Sequence, residues 1–367
     1  MKIYLVDYLG IHCGMHYYLD SFSRVLLSIP NTQIEILSNY PIEKRIPFFK
    51  NQYKGSLVRK VLSLFVNIRR LYRHINTHRD CFYVYLTYGN TIDALFMSVI
   101  SKTSKHIIDI HEAIAQDIDK SIILNHVFKD IYRYKVNAVI SHSERTDIIL
   151  YDYNFKNKKL FVPHFKYQFK KIYNDVNITN EIRDSIDNSR INLLFFGNLN
   201  ENKGIDILIE SINLLPEETC KRLNVIIAGK DFDGAIDRVS PKADRNVKIF
   251  RRHITDDELV FLYQNVDYIS LPYRKTSQSG ILEMAFYFKK PIIASNIPYF
   301  KKMLTDFPTF GVIAGINAKD YASILSEVID NNHKQFYTQS DYDKYENRKE
   351  INDFILNFQA WINEYKS

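Results

Sequence analysis

VDYISLPYRKTSQSGILEMAFYFKKPIIAS, residues 266–295, carries the repeat unit on which the fold turns. An apolar run ends at Pro272, a polar loop follows, an apolar helical pattern opens at Gly280, and Lys289-Lys290-Pro291 returns the chain to a second apolar run. Two short apolar runs joined by a helix read as parallel strands, because a parallel pair needs a long crossover.

The same alternation extends on both sides. In the second half, strands are expected at 191–197, 223–229, 247–251, 266–272, 290–295 and 310–315, with helices at 203–215, 255–264, 280–288, 297–304 and 318–330. In the first half, strands are expected at 2–9, 33–38, 81–88, 105–111, 137–143 and 159–165, with helices at 15–28, 56–76, 90–103, 122–134 and 144–152. The polar stretch 170–190 separates the two series, and an aromatic-rich helix closes the chain at 346–366. The expected class is α/β, with two doubly wound parallel-sheet domains. Ligands in such sheets sit beyond the carboxyl ends of the strands, so the loops after strands carry the chemistry.

Composition excludes several classes. A chain of 367 residues, 46% hydrophobic and 25% charged, has the make-up of a folded protein of about two domains. No run approaches the roughly 18–20 apolar residues of a membrane span. Cys13, Cys81 and Cys220 are scattered without metal spacing and read as free thiols in a reducing cytoplasm. The net charge of +7 is concentrated: Lys44 to Arg73 holds nine Lys/Arg and no acidic residue. Within it, Val58, Val61, Leu62, Phe65, Ile68, Tyr72 and Ile75 recur at helical spacing. Two readings of helix 56–76 stand open: a surface helix packing its apolar face on its own domain, or a helix resting on anionic phospholipid. Nucleic acid is not expected, because no recognition motif accompanies the charge.

Two loops hold the candidate chemistry. In FFGNLNENKGIDIL (195–208) a strand ends at Gly197, and Lys203-Gly204 opens a helix whose positive end attracts the same anion as the lysine. The spacing is neither that of a Walker A loop nor of a dinucleotide-binding glycine loop. In the second loop, Ser279 and Gly280 open a helix and let a phosphate approach the first backbone N–H groups. Glu283 follows three residues later on an apolar helix, where a carboxylate serves a sugar hydroxyl pair or needs a buried partner.

The ordered set GNLNENKG (197–204), IIAGKD (226–231), ITDDELVFLYQNVDYISLPY (254–273) and SGILEMAFYFKKPIIAS (279–295) resembles the retaining, nucleotide-sugar-dependent glycosyltransferases of family 4. The likeness is strong over about 100 residues and weaker through IIDIHEAI (107–114) and AVISHSERTDIIL (138–150). The resemblance implies the GT-B fold, two facing Rossmann-like domains with an interdomain cleft: 1–172 on the acceptor side, completed by helix 346–367 through Phe354 and Trp361, and 173–345 for the donor. It implies that Lys203 and the amides of Ser279 and Gly280 bind the donor diphosphate, with Gly197, Asn198 and Tyr273 around them. By the same resemblance Glu283 bridges the ribose hydroxyls, the Arg252–His253 segment meets the nucleobase, His111 contacts the transferred sugar, and Gly10 and Gly14 open the cleft to the acceptor.

Two departures stand out. Asn198 replaces the family's usual arginine, and Lys275 stands where the family carries a second glutamate. Arg274 or Lys275 is therefore expected to supply the missing charge, or the sugar or acceptor is itself acidic. The Asp-x-Asp pairs 117/119 and 231/233 are not expected to hold an obligatory metal, and no cofactor is expected. The whole reads as a hexosyltransferase-type enzyme, cytoplasmic or peripheral on the inner face of the membrane. It would move a sugar from a UDP- or GDP-sugar, with retention, to a saccharide acceptor, lipid-linked, in cell-surface polysaccharide synthesis. A sugar-nucleotide epimerase or hydrolase of the same fold, and a non-catalytic sugar-nucleotide-binding partner subunit, are the alternatives.

Overall fold

In the computed structural model the described residues are 1–10, 15–40, 47–88, 91–100, 103–111, 122–142, 146, 150–162, 165–167, 169, 173–231, 233–276, 278–330 and 336–365. They divide into two compact units, Met1–Lys166 with Lys349–Ser367, and Tyr167–Arg348.

The first unit holds β1 (Lys2–Asp7), α1 (His16–Leu27), β2 (Gln33–Ser38), α2 (Leu57–Thr77), β3 (Phe82–Thr87), α3 (Thr91–Ser98), β4 (Lys105–Ile110), α4 (Ile122–Tyr134), β5 (Ala138–Ser141) and β6 (Lys158–Phe161). Its strands are parallel and lie in the order β2-β1-β3-β4-β5-β6. The order reverses between β1 and β3, which marks the topological switch point. β3 and β4 are buried almost throughout, as a sheet covered on both faces requires. The helix expected at 144–152 falls largely outside the described residues.

The second unit holds β7 (Ile191–Phe196), α5 (Ile205–Leu214), β8 (Leu223–Ala228), β9 (Val247–Phe250), α6 (Asp256–Asn265), β10 (Tyr268–Leu271), α7 (Gly280–Tyr287), β11 (Ile292–Ser295), α8 (Pro298–Asp306), β12 (Gly311–Ala314), α9 (Ala318–Asp330) and α10 (Gln339–Glu346). The parallel order is β12-β11-β10-β7-β8-β9, with its switch between β7 and β10. The α10 helix has no counterpart among the sequence expectations: its sequence, QSDYDKYE, is polar and buries only Tyr345. The last helix, α11 (Lys349–Glu364), belongs to the first unit. There Phe354 packs against Phe22 and edge-to-face on Phe165, and Trp361 meets Phe82 edge-on.

The loop after β9 is fixed by charge. Arg252 donates to Glu258 Oε1 and to Glu181 Oε1, both at 2.8 Å, and Thr255 and Glu258 form a reciprocal capping box at the start of α6. Burial raises the Glu258 pKa, but hydrogen bonds from Arg252, the Thr255 amide and Thr179 outweigh it and bring it down to about 2. A carboxyl with a depressed folded-state pKa contributes stability that is complete above its unfolded value, about 4.3, and that fades as pH falls through the folded value. Glu258→Gln is expected to lower Tm at neutral pH and to flatten the loss of Tm between about pH 4.3 and pH 2. Thermal melts across that range check it.

Candidate donor site

The loops after β7 and β10, the two strands at the switch point of the second unit, are stitched together. The Arg274 amide donates to Asn202 O at 2.9 Å, and Asn202 Nδ2 donates to Lys275 O at 3.2 Å. Gly204 has φ +70, and a Cβ there would lie 1.9 Å from Pro272 O, so only glycine lets the two loops touch. Gly229, at the end of β8, is as constrained: its Cβ would meet Gly197 O at 1.7 Å. Gly197 itself faces the side chain of Ile281 on α7, with 3.6 Å from its would-be Cβ to the Ile281 methyl. Lys203, Gly197 and the start of α7 therefore share one end of the sheet.

Ser279 caps α7: its side chain and backbone oxygen both accept from Leu282 N. The amides of Gly280 and Ile281 lie ahead of the helix's own ladder and form the start of an anion-accepting end. Lys203 is half-buried, and its Nζ sits 3.9 Å from the centroid of the Tyr273 ring. Tyr273 itself is buried, so its contribution is a floor under the lysine.

The two cations ahead of the helix differ. The Arg274 guanidinium is bound to both carboxylate oxygens of Asp206 in the first turn of α5, with Nη1 to Oδ1 at 2.8 Å. Lys275 is exposed, as is Asn198. Of the pair expected to replace the missing arginine, Lys275 is the one whose charge faces solvent. Arg252 is committed to Glu258 and Glu181, which leaves the backbone of its segment, with an exposed His253, on the surface. Asp231 and Asp233 shape a turn instead of converging: Asp231 accepts from the Gly234 amide at 2.9 Å and Asp233 from the Ala235 amide at 3.0 Å. Asp117, Asp119 and Gly14 lie outside the described residues.

Glu283, which the resemblance places on the ribose hydroxyls, is completely buried. The Tyr345 hydroxyl donates to Oε2, and Arg348, itself 8% exposed, lies 3.5 Å from the carboxylate. Leu282, Glu283, Met284, Ala285 and Phe286 are all buried, and five consecutive residues go right round a helix, so α7 is enclosed on every side. The partners of Glu283 are Tyr345, on the α10 helix that the sequence pattern did not signal, and Arg348 just after it.

In the first unit, β4 ends in a polar cluster. His111 Nε2 lies 3.4 Å from Asp109 Oδ2, an oxygen that accepts from the Tyr18 hydroxyl at 2.7 Å. Asp109 Oδ1 lies 2.7 Å from His142 Nε2, while His142 Nδ1 lies 2.9 Å from Val162 O. The two ring nitrogens of His142 are thus engaged by Asp109 on one side and by the Val162 carbonyl on the other, which fixes the ring's position. Burial raises the Asp109 pKa, but His111 and His142 outweigh it and hold the carboxyl well below the usual range. Burial lowers the pKa of His111 and Asp109 offsets only part of this, so His111 is neutral near pH 7. Asp109, His111 and His142 are the described residues whose ligand atoms lie close enough, within 4.8 Å, to surround a cation. The hydrogen-bond lengths describe a closed network. Asp109 and His142 were not singled out in the sequence; the alternation of β4 and β5 placed both strand ends but not their pairing. Gly10, at φ +49, donates its amide to Asp7 Oδ1 at 2.8 Å beyond β1.

Residues 190–331 match the family model described as Glycosyl transferases group 1. No curated protein matches the sequence. Among solved structures, sucrose-phosphate synthase from Thermosynechococcus elongatus aligns at 13% identity over 100% of this chain and 97% of that one, with a TM-score of 0.65. Anabaena HepE in complex with UDP aligns at 12% identity over 99% and 100%, with a TM-score of 0.62. S. aureus MnaA with UDP aligns at 13% identity over 93% and 90%, with a TM-score of 0.55. The fold is GT-B. The matched family region contains every element of the donor-side loops described above, from β7 to α9.

Removing one member of the Glu283–Arg348 pair strands a buried charge, at about 3–5 kcal/mol. Glu283→Ala and Arg348→Met are each expected to destabilise the chain by that order, with the Glu283→Met/Arg348→Met double variant more stable than either. Denaturant melts of the three variants check the ordering; additive losses would contradict it.

Proposed function

We propose that the chain is a nucleotide-sugar-dependent glycosyltransferase that uses the β7/β10 end of the second unit to hold the donor diphosphate. The observation that carries this reading is the convergence of Lys203, the Gly197 loop and the Ser279-capped start of α7 on one anion-accepting corner. The match of residues 190–331 to Glycosyl transferases group 1 and the UDP held by GT-B neighbours support it. The donor is a UDP- or GDP-sugar.

Catalysis in this reading is electrostatic. As the sugar–phosphate bond lengthens, negative charge gathers on the diphosphate, and Lys203, Lys275 and the amides of Gly280 and Ile281 stabilise it more in the transition state than before. The departing phosphate draws the proton from the acceptor hydroxyl, so the sugar transfers with retention and the chain needs no nucleophile of its own. Neutral His111 contacts the transferred sugar, held by Asp109. No metal is required, because cationic side chains meet the diphosphate. The acceptor is a saccharide, lipid-linked, and the enzyme is of the hexosyltransferase type, working in polysaccharide synthesis at the inner face of the membrane.

Lys203→Ala and Lys275→Ala are each expected to weaken donor binding roughly 10- to 100-fold, the worth of a charge-assisted hydrogen bond. Titration calorimetry with UDP- and GDP-sugars measures this, and unchanged affinity in both variants would refute the site. Product analysis with and without acceptor separates transfer from hydrolysis or epimerisation. If neutral His111 is required, kcat is flat near neutrality and falls only below about pH 6.5, since its folded pKa lies under the free imidazole value. An acid limb that begins above that pH would contradict the assignment.

A further inference from the structure

The amphipathic helix α2 is turned inside out over its first half. The side chains it buries are Ser63, Asn67, Leu71 and Ile75, so its inner face begins polar. Asn67 latches the segment before it, accepting from the Lys50 amide and donating to Lys50 O, both at 2.8 Å. The apolar side chains point outward instead: Leu57 is 77% exposed, Val58 69%, Val61 57%, Leu62 60%, Phe65 63% and Tyr72 52%. At about 100° per residue these six fall within an arc of roughly 140° and form one stripe. An exposed contiguous stripe of this kind marks a surface made for a partner.

Charge identifies the partner. Arg59, Lys60, Arg69, Arg70 and Arg73 are all exposed on α2, and the helix carries no acidic residue. Beside the stripe a groove of about 760 Å³ brings Lys50, Lys54, Arg59 and Arg70 next to Phe49 and Leu62. A second copy of the chain would set like charges against each other on this face. Nucleic acid would match the cations but leave the leucines, valines and phenylalanine in water. A bilayer bearing anionic headgroups satisfies both halves of the surface, with the stripe in the acyl boundary and the long cationic side chains reaching up to phosphates.

We propose that α2, with the groove along its flank, is the docking surface for an anionic phospholipid membrane. The geometry of α2 carries the surface; only its tie to a lipid-linked acceptor rests on the proposed function.

The test is flotation of the full chain with phosphatidylcholine vesicles, with and without phosphatidylglycerol. The wild type is expected to float with the anionic vesicles. Leu62→Ser/Phe65→Ser is expected to lower partitioning roughly tenfold or more, through lost apolar burial. Lys60→Gln/Arg69→Gln/Arg73→Gln is expected to remove the preference for anionic over neutral lipid, roughly tenfold or more. Circular dichroism and UDP-sugar affinity stay at wild-type values in both variants, so failure of docking is read separately from failure of the donor site. A wild type that stays with neither vesicle overturns the proposal. So do variants that float like the wild type, or a dimer in light scattering that Leu62→Ser/Phe65→Ser dissolves.

Discussion

The second unit is organised around a contact that no side chain could occupy. At the switch between β7 and β10 the backbone of Gly204 lies against the carbonyl of Pro272, and one strand away Gly229 lies against the carbonyl of Gly197. Any Cβ at either glycine would fall inside the neighbouring backbone. Because these approaches are fixed, the Lys203 loop and the Ser279 loop cannot drift apart, and the Asn202 and Arg274 hydrogen bonds close over them. An anion corner made of loops thereby acquires the precision of strands.

Buried charge does similar work elsewhere. Glu283 with Arg348 in the second unit, and Asp109 with His142 in the first, are buried pairs. The Glu283–Arg348 pair costs desolvation and returns it only while both partners remain. Glu283 ties the helix that opens at Gly280 to α10 and its continuation. Asp109 ties the ends of β4 and β5 to Tyr18 of α1. These pairs specify where a helix start and an imidazole sit, which apolar packing alone leaves loose.

The alternation of apolar runs and amphipathic segments was enough to read twelve parallel strands and most helices, because buried strands and half-buried helices have different periods. It also located the two loops, since both follow strands and both contain a glycine before a helix. What it could not supply was rotation and long-range pairing. Glu283 follows Gly280 by three residues in either reading, yet whether it faces the loop or the core depends on Tyr345 and Arg348, 62 and 65 residues away. In α2 the period announced an amphipathic helix and left its inner face undecided, since Ser63 and Asn67 are buried there and Asn67 is held by hydrogen bonds to the segment at Lys50. His142 carried no signal at all, because its partner lies on the preceding strand of the sheet, 33 residues earlier.

The Arg274–Asp206 pair has a consequence for the helix ends beside it. Two helices begin at the switch point, α5 and α7, and both present a positive end. Asp206 sits in the first turn of α5, where its own carboxylate answers that helix's dipole and is itself answered by Arg274. The acidic residue in the first turn of α7 is Glu283, and it is turned into the core toward Arg348. One helix end is thus answered by an internal carboxylate in its first turn, while the first-turn carboxylate of the other is paired with Arg348. The asymmetry between the two helix ends is set by the fold itself, through the Arg274–Asp206 and Glu283–Arg348 pairs.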